Sequence, residues 1–148
     1  MNIKNIEPTF QLIANGISEI QLVNTIVNIS NSDDLIREFS INIKDISIEE
    51  HETYKSAGLD VEVKILVAQK ETEEPKKFET SMIVSGVFLD SKEISNEMFE
   101  DKLKLNGVAA LYSIARGCIT NISSQALADG KIVLPLVNFM EFSSESDD

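Results

Sequence analysis

The stretch LDVEVKILVAQKETEEPKKFETSMIVSGVFLD, residues 59–90, fixes the architecture that the rest of the sequence completes. Every second residue in its two halves is apolar or uncharged, in the series Val61, Val63, Ile65, Val67 and then Phe78, Thr80, Met82, Val84. Such alternation is typical of strands whose side chains point in turn to opposite faces of a sheet. The charged residues 71–77 between the halves predict a short turn. The sequence therefore predicts an antiparallel hairpin with one covered face.

The residues before this hairpin, REFSINIKDISIEE at 37–50, predict a further strand with a change of phase. Its apolar residues stand at odd positions first and at even positions later, in the order Phe39, Ile41, Ile43, Ile46 and Ile48. One extra residue near Lys44 and Asp45 would return these side chains to a single face, because strand side chains alternate with a period of two. We therefore expect a β-bulge or a strand break at that point.

Two apolar segments open the chain, at residues 10–13 and 17–29. The second is rich in β-branched residues, which favour strand over helix. Asn15 and Gly16 separate the two segments and predict a bend, and the polar residues 31–34 predict a turn. Together with the strands described above, these segments predict a sheet of four strands.

The sequence changes character after Asp90. Residues 91–107 are polar and poorly periodic, so we expect a crossover loop with one helical turn. Residues 107–127 then carry apolar side chains at helical spacing, namely Val108, Leu111, Tyr112, Ala115, Cys118, Ile119 and Ile122. This spacing predicts one long amphipathic helix, with Asn106 as its N-cap and Gly130 as its C-cap.

The predicted fold class is α+β, with a four-stranded antiparallel sheet, a crossover loop and a long helix that covers one sheet face. The 148 residues are the size of one domain, and a hydrophobic fraction of 43% is enough for a core. The sequence contains no internal repeat and no linker. We expect a single domain over residues 1–142, followed by an acidic disordered tail over residues 143–148.

Charge and cysteine content limit the classes of function. The formal net charge of −12 repels phosphates, which argues against nucleic-acid binding. A single cysteine, Cys118, excludes an internal disulfide and fits a reducing compartment. The N-terminus has no apolar signal segment, and no run reaches the roughly 18 apolar residues that span a membrane. We expect a soluble cytoplasmic protein with no membrane insertion.

The sequence carries no catalytic signature. His51 is the only histidine and stands in a polar stretch, so no zinc site with several His or Cys ligands is predicted. Cys118 lies on the apolar helix face, where a core residue is more typical than a nucleophile. Glycines occur singly, and the carboxylates near residues 49–52 and 71–74 fall in predicted turns. The prediction is a protein with no enzymatic activity, no metal and no cofactor.

The segment GKIVLPLVNFMEFSSESDD, residues 130–148, combines an apolar run, a proline and an acidic end. Pro135 has no backbone N–H, so we expect the run to lie extended against the sheet or helix rather than form a central strand. Phe139 and Phe142 then have two open interpretations. They close an apolar groove or contact a neighbouring subunit, or they are ordinary core residues.

Three pieces of the sequence resemble the SecB family of protein-export chaperones in their order and spacing, and a fourth piece, upstream of them, is similar as well. TFQLIANGISEIQL at 9–22 is similar to the family's first strand, and FETSMIVSGVF at 78–88 matches its last strand with a Gly-hydrophobic-Phe ending. LYSIARGCITNIS at 111–123 matches the core of the family's long helix. IVLPLVNF at 132–139 is similar to its hydrophobic-Pro-x-Val/Asn-Phe signature. The resemblance covers nearly the whole chain.

The resemblance implies a homotetramer, built as a dimer of dimers, that binds unfolded preproteins without ATP. It also implies a hydrophobic peptide groove, with the candidates Met82, Val84, Phe88, Leu111, Leu134, Phe139 and Phe142. For Met82, a place in the groove and a place in the core are both compatible with the sequence. Glu19 stands where the family has an acidic residue that faces its motor ATPase, SecA. The expected subunit interface contains Tyr112, Arg116 and Ile119.

The sequence departs from the family pattern at several positions. Ser113 and Gly117 stand where the family's helix usually has Pro and Glu. Val23 and Ser81 stand at further acidic positions of the SecA-facing surface. The C-terminal helix that follows the Asn-Phe pair in the family is nearly missing, which weakens the expectation of coupling to SecA.

Three classes of function are compatible with these features. A SecB-like chaperone serves either general preprotein export or a specific client, such as the antitoxin of a toxin-antitoxin-chaperone system, and the short C-terminus favours the specific client. An adaptor that binds one folded partner is the second class. An enzyme is the third, and a pocket of carboxylates around His51 would indicate it.

Overall fold

One antiparallel sheet of four long strands forms the body of the protein in the computed structural model, which describes residues 9–25, 35–70, 73–127 and 130–140. The strands are β1 Gln11–Asn24, β2 Leu35–Glu50, β3 Tyr54–Gln69 and β4 Lys77–Ser91. Their order across the sheet is β1-β4-β3-β2, so β1 and β2 are the edge strands. This arrangement, with the helix described below, confirms the predicted α+β class.

The hairpin predicted at residues 59–90 is confirmed as β3 and β4. Val61 pairs with Val84 and Val63 with Met82, so the alternating apolar residues of both strands lie on the same face. These four side chains are fully buried. We call this side the inner face of the sheet and the opposite side the outer face.

The change of phase predicted in β2 is a register shift between Ile43 and Asp45 in the pairing with β3. Before the shift Ile41 pairs with Val63, which lies on the inner face. After the shift Ile46, at an even position, also reaches the inner face. A β-bulge adds one residue to one strand only, so odd positions before it and even positions after it share a face.

β1 is a single strand rather than two segments joined by a bend. Pairing with β4 continues through Asn15 and Gly16, where we expected the bend. The register shifts a few residues away on either side, after Leu12 and after Ile17. Such irregularities change the local twist without ending a strand. The predicted strand residues 26–29 and the predicted turn at 31–34 lie outside the described residues.

The segment after β4, predicted as a crossover loop with one helical turn, is helical over most of its length. It forms α1 Asn96–Lys102, a π-helical segment Leu103–Gly107 and α2 Val108–Ala126. Ser95 caps α1, because its side chain accepts a hydrogen bond of 3.1 Å from the backbone N–H of Met98. Asn106 lies inside the π-helical segment and is not the N-cap that we predicted.

The weak periodicity of this segment has a structural cause. Phe99 is the buried residue of α1, and only Leu103 and Gly107 are buried in the π-helical segment. A π-helix also takes more residues per turn than an α-helix, so it changes the phase at which side chains face the sheet. Because few side chains face the sheet and the helical phase changes, the apolar residues of this segment have no regular spacing in the sequence.

α2 covers the inner face with the side chains that its apolar spacing predicted. The buried ones are Val108, Leu111, Tyr112, Ala115 and Ile119, with Cys118 and Ile122 partly buried beside them. Helical backbone and sheet approach closely at Gly86 and Gly107. A Cβ atom there would lie 2.9 Å from a methyl carbon of Leu111 or Leu59 respectively. Within the described ranges, no helix has the length and apolar character needed to cross a membrane.

Past the end of α2 the chain reverses direction. The helix ends at Ala126, and Leu127 is its C-cap residue, so Gly130 is not the C-cap that we predicted. Gly130 does have a φ of 77°, a left-handed conformation that favours glycine. From there residues 130–140 run back along α2, without regular secondary structure up to residue 138. We call this segment the strap.

Polar contacts of two buried charged residues, Asp90 and Lys55, tie the end of the sheet to α1. Asp90 is 4% exposed, and its Oδ2 lies 3.0 Å from Nζ of Lys102. Lys55 is similarly buried; its Nζ lies 3.2 Å from Glu50 and donates a hydrogen bond of 2.8 Å to Asn96. Charges buried as deeply as Asp90 and Lys55 must be paired, so these contacts fix both ends of α1 against the sheet, at Asn96 and at Lys102.

Candidate peptide-binding groove

Side chains of α2 hold the strap in place. The hydroxyl of Tyr112 donates a hydrogen bond of 2.5 Å to the carbonyl oxygen of Pro135. Nε of Arg116 donates one of 2.8 Å to the carbonyl oxygen of Leu134. Because the strap has no regular secondary structure here, its backbone groups depend on such partners. The position of the strap is therefore set by the helix beneath it.

Alternate side chains of the strap point into the core and into solvent. Ile132 and Leu134 belong to the core, and the backbone N–H of Ile132 donates a hydrogen bond of 2.8 Å to Ser123 Oγ. Val133, between them, is 53% exposed, and Leu136 is 85% exposed. A chain with a net charge of −12 thus presents apolar side chains to water along one short segment.

An open groove of about 810 Å³ lies between the strap and the neighbouring surface of α2, and we call it the strap groove. Its apolar and aromatic lining consists of Tyr112, Val133, Leu136, Val137 and Phe139. The helix contributes small and polar side chains, among them Ser113, Gly117 and Thr120. The ring of Phe139 packs edge-on against Tyr112, with centroids 5.5 Å apart. A volume of this size is sufficient for several side chains of a bound peptide.

The charged groups that line the strap groove are cations. They belong to Arg116 and Lys131, and no carboxylate lines the groove among the described residues. Burial raises the pKa of Tyr112, and the positive charge of Arg116 opposes part of that rise. The phenol is therefore neutral at physiological pH and acts as a hydrogen-bond donor. The groove combines an apolar surface with positive charge.

A smaller cavity of about 250 Å³ lies between the strap and the inner face of β2 and β3. Phe39, Ile65 and Val67 line it from the sheet, and residues 131–135 line it from the strap. Phe39 is 44% exposed, so an aromatic ring on the inner face borders water at this edge of the sheet. Arg37 also lines this cavity, and both arginines of the chain are therefore next to the strap.

Most residues predicted for a peptide groove lie in the core. Five of them, none more than 1% exposed, are Met82, Val84, Phe88, Leu111 and Leu134. In this conformation they join sheet, helix and strap, so a peptide would reach them only if these layers separated. Their assignment to peptide binding stays a prediction. Phe139 lines the strap groove, whereas Phe142 and the tail at 143–148 lie outside the described residues.

The residues predicted for a subunit interface have partners within the chain. Ile119 and Tyr112 are buried in the core, and Tyr112 and Arg116 both bind the strap. The partner of Arg116 in this structure is the carbonyl oxygen of Leu134. The role of these three residues between subunits stays a prediction.

Glu19 lies on the outer face of the sheet, on the side opposite to the helix. It lines an open depression of about 470 Å³ together with Glu38, Glu62 and Glu79, so that each strand contributes one carboxylate. Lys64 is the one cation in that lining among the described residues, and its Nζ lies 3.5 Å from Glu62. The outer face is therefore acidic here, and its predicted role toward SecA stays a prediction.

Sequence reasoning missed the exposed half of the strap and the cations beside it. Val133, Leu136, Arg37 and Lys131 have no pattern that marks them individually. A signal was present in the alternation of IVLPL, which has the period of an extended segment. That period separates two sets of side chains but does not show which set faces water. The answer depends on which side of the strap packs on α2 and the sheet, and a local pattern does not contain this information.

The two residues considered for catalysis have ordinary surroundings. His51 Nε2 lies 2.8 Å from Ser56 Oγ, and its ring stacks on Tyr54 with centroids 4.4 Å apart. Burial raises the pKa of the Cys118 thiol, which lowers its reactive thiolate fraction at neutral pH. In the described ranges, no group of three or more His, Cys, Asp or Glu side chains is placed to hold a metal ion.

Comparison with known proteins gives matches in structure but not in sequence. No sequence-family model and no curated protein matches the chain. One similar structure is the SecB-like chaperone Rv1957 of Mycobacterium tuberculosis in complex with a ChAD peptide from the Rv1956 HigA1 antitoxin. Its TM-score is 0.66 at 11% identity, and the match covers 87% of this chain and 90% of that one. Another is a protein of unknown function from Streptococcus agalactiae, with a TM-score of 0.50 at 12% identity and coverage of 86% and 97%. The chain has a SecB-like fold, which confirms at the level of the fold the resemblance seen in its sequence.

Proposed function

We propose that this chain is a SecB-like molecular chaperone that binds extended apolar segments of unfolded polypeptides without ATP. The observation that carries the proposal is the exposed apolar half of the strap beside an open groove of about 810 Å³, on a SecB-like fold. Apolar contacts and backbone hydrogen bonds bind extended peptides of many sequences. Acidic charge elsewhere keeps such a surface soluble. The activity needs no catalytic residue, metal or cofactor, so we propose that the protein is not an enzyme.

The edge strand β1 supports the same function. Its inner-face residues Ile17, Ile20 and Leu22 are each at least 40% exposed, because α2 does not cover them. An edge strand also leaves alternate backbone N–H and C=O groups without a neighbouring strand. Apolar side chains and open backbone groups together suit the addition of an extended segment from a client.

Within the chaperone class, a structural neighbour favours a role toward one dedicated client. The Mycobacterium tuberculosis neighbour carries a peptide from an antitoxin, so that protein binds a segment of a specific client. By analogy, we propose that this chain protects one client, such as an antitoxin, rather than many preproteins. General preprotein export from the cytoplasm, with SecA as partner and a homotetramer built from two dimers, is the alternative within the chaperone class.

Suppression of aggregation tests the chaperone proposal. A denatured, slow-folding protein is diluted into buffer that contains the chain and no nucleotide, and refolding and light scattering are followed. We expect delayed refolding and less scattering near one chaperone oligomer per client. The double variant Val133→Asp with Leu136→Asp should lose most of this effect. Both side chains are exposed, so folding tolerates the charges, whereas apolar contact with a client does not.

The matched control is Val87→Asp. Val87 is also partly exposed, at 39%, but it lies on the outer face, where it pairs with Gly58. Activity that is kept in this variant and lost in the double variant supports the strap groove as the site. Equal activity in both would exclude it. Tight binding to the unfolded protein encoded by one neighbouring gene, without protection of other clients, would favour the dedicated role. Binding only to a folded partner would favour an adaptor.

A further inference from the structure

Positive charge is concentrated beside the strap in a chain whose net charge is −12. Arg116 lines the strap groove, Arg37 lines the smaller cavity, and Lys131 lines both. Among the described residues, Glu38 is the one carboxylate in either lining. The depression on the outer face has the reverse composition, with four carboxylates and one lysine. The strap thus runs through a positive region on a negative protein.

We infer that the strap groove selects extended segments in which Asp or Glu residues flank apolar ones. The inference rests on the proposed chaperone function and names the chemical class of its client. Apolar side chains of the client contact Val133, Leu136 and Phe139. Its carboxylates pair with Arg116 and Lys131.

The surroundings of Arg116 suit a carboxylate ligand. Its guanidinium carries five N–H donors in a planar fork, and the bond to Leu134 is made by Nε. That bond already orients the side chain, so pairing with a carboxylate costs little further ordering. Within the described ranges, no carboxylate oxygen lies within 4.0 Å of the side-chain nitrogens of Arg116 or Lys131. The two cations therefore have no ion pair inside the described part of the chain.

The net charge of the protein does not cancel this local attraction. At physiological ionic strength the screening length is about 8 Å, so carboxylates on the outer face act only weakly across the sheet and helix layers. A peptide in the strap groove is therefore influenced mainly by Arg116 and Lys131. The overall negative charge still slows the approach of acidic peptides. We expect the preference in dissociation rates rather than in association rates.

Binding of synthetic peptides measures the preference. The probes are three labelled peptides that share the same alternating apolar residues and carry Glu, Gln or Lys at all flanking positions. Fluorescence anisotropy is recorded with the full chain at low and at physiological salt. We expect the Glu peptide to bind tightest and the Lys peptide weakest. The affinities for the Glu and Gln peptides should differ about fivefold, and the difference should shrink as salt is added.

Lys131→Glu is the main variant, because Lys131 is exposed and its exchange leaves the core unchanged. The affinity for the Glu peptide should fall about fivefold, so that the three peptides bind with similar affinities, because the two charges that line the groove then cancel. Arg116→Lys keeps the charge and should keep the original order, whereas Arg116→Glu should abolish the preference. Lys64→Glu is the matched control. Lys64 is an exposed cation on the outer face, and its exchange should leave the order unchanged.

Several results would overturn the inference. The inference is wrong if the three peptides bind the unchanged chain with equal affinity, or if the Lys peptide binds tightest. It is also wrong if Lys64→Glu lowers the affinity for the Glu peptide as much as Lys131→Glu does. These results would leave the chaperone proposal standing. Failure to bind any peptide would also overturn the inference, and unchanged aggregation in the earlier assay would then remove the chaperone proposal as well.

Two further results would assign the cations to other occupants and so overturn the inference. In the first, the chain prefers the Glu peptide only after its own acidic C-terminal residues are replaced by neutral ones, namely Glu141, Glu145, Asp147 and Asp148. This result would mean that the C-terminal tail itself occupies the strap groove. In the second, Arg116→Glu gives a smaller oligomer with an unchanged order of peptides, which assigns Arg116 to a contact between copies of the chain.

Discussion

The two faces of the sheet differ in character although neighbouring residues of the same strands build them. Val61 and Val84 pair across β3 and β4 on the inner face and are fully buried beneath α2. One position further along the chain, Glu62 pairs with Ile83 on the outer face and forms an ion pair with Lys64. The inner face supplies the core, and the outer face supplies most of the charge seen around the sheet.

The effect of a substitution therefore depends on the sheet face on which the residue lies rather than on its position along the chain. Because strand side chains alternate, a residue and its neighbour meet different surroundings. The strap adds a third surface, which is apolar like the inner face but exposed and positively charged. The predicted binding activity lies on this third surface, so stability and recognition can be altered separately.

Introduction of a carboxylate should give the largest difference in free energy of unfolding between the two faces. Val84→Asp buries a carboxylate in the core and should cost roughly 4 kcal/mol or more in free energy of unfolding, enough to prevent folding. Val87→Asp, three residues later on the outer face, should cost less than about 1 kcal/mol. Urea unfolding followed by circular dichroism measures both. A Val84→Asp protein that folds with unchanged stability and loses peptide binding would show that this side chain lines a groove.

Removal of an ion pair should also lower the free energy of unfolding more on the inner face than on the outer face, but by a smaller difference. Asp90→Ala removes the buried partner of Lys102, which is itself 35% exposed, and the acceptor of the Ser91 N–H, and should cost about 1 to 2 kcal/mol. Glu79→Ala removes the exposed outer-face pair with Lys77, at 3.0 Å, and should cost about 0.5 kcal/mol or less. Urea midpoints at low and high salt measure the two losses. Equal losses would mean that burial of the Asp90 pair adds nothing to its contribution.

Two helical glycines should give the smallest effects, and of opposite sign. Gly117 has no atom within 4 Å of an added Cβ, so Gly117→Ala should stabilise the protein by about 1 kcal/mol through helix propensity. Gly107 faces the sheet, and an added methyl group would meet Leu59 at 2.9 Å. Gly107→Ala should therefore lower stability by about 1 kcal/mol, because overpacking outweighs the gain in propensity. Thermal unfolding distinguishes the two, and a gain in both variants would refute the close contact at Gly107.

The parts of the fold that the sequence predicted are those with a regular local period. The hairpin of β3 and β4, the phase change after Ile43 and the buried stripe of α2 all follow from side chains that repeat every two or every three to four positions. The helical segment at 96–107 was missed because little beyond Phe99 and Leu103 faces the core there.

The candidate site was harder to predict, because a period assigns residues to faces but not to surroundings. Met82 and Val84 lie on the inner face, and they could line an open groove only if nothing covered that face. In the structure α2 covers them, whereas Val133 and Leu136 on the strap are exposed. Which surface stays open is set by the packing of distant segments, and a local pattern contains no information about it.

The strand order governs the order of folding events. β2, β3 and β4 follow one another closely along the chain, and the backbone N–H groups of His51 and Gln69 donate hydrogen bonds to Tyr54 and Lys76 at the strand ends. β1, in contrast, pairs with a strand far along the chain, as in the contact of Ser18 with Ser85 across 67 residues. Closing so long a loop costs entropy and slows pairing, so we expect β1 to join the sheet last. Until then β4 is an open edge beside an uncovered apolar surface, and the newly made chain has the features of the clients that it is proposed to protect.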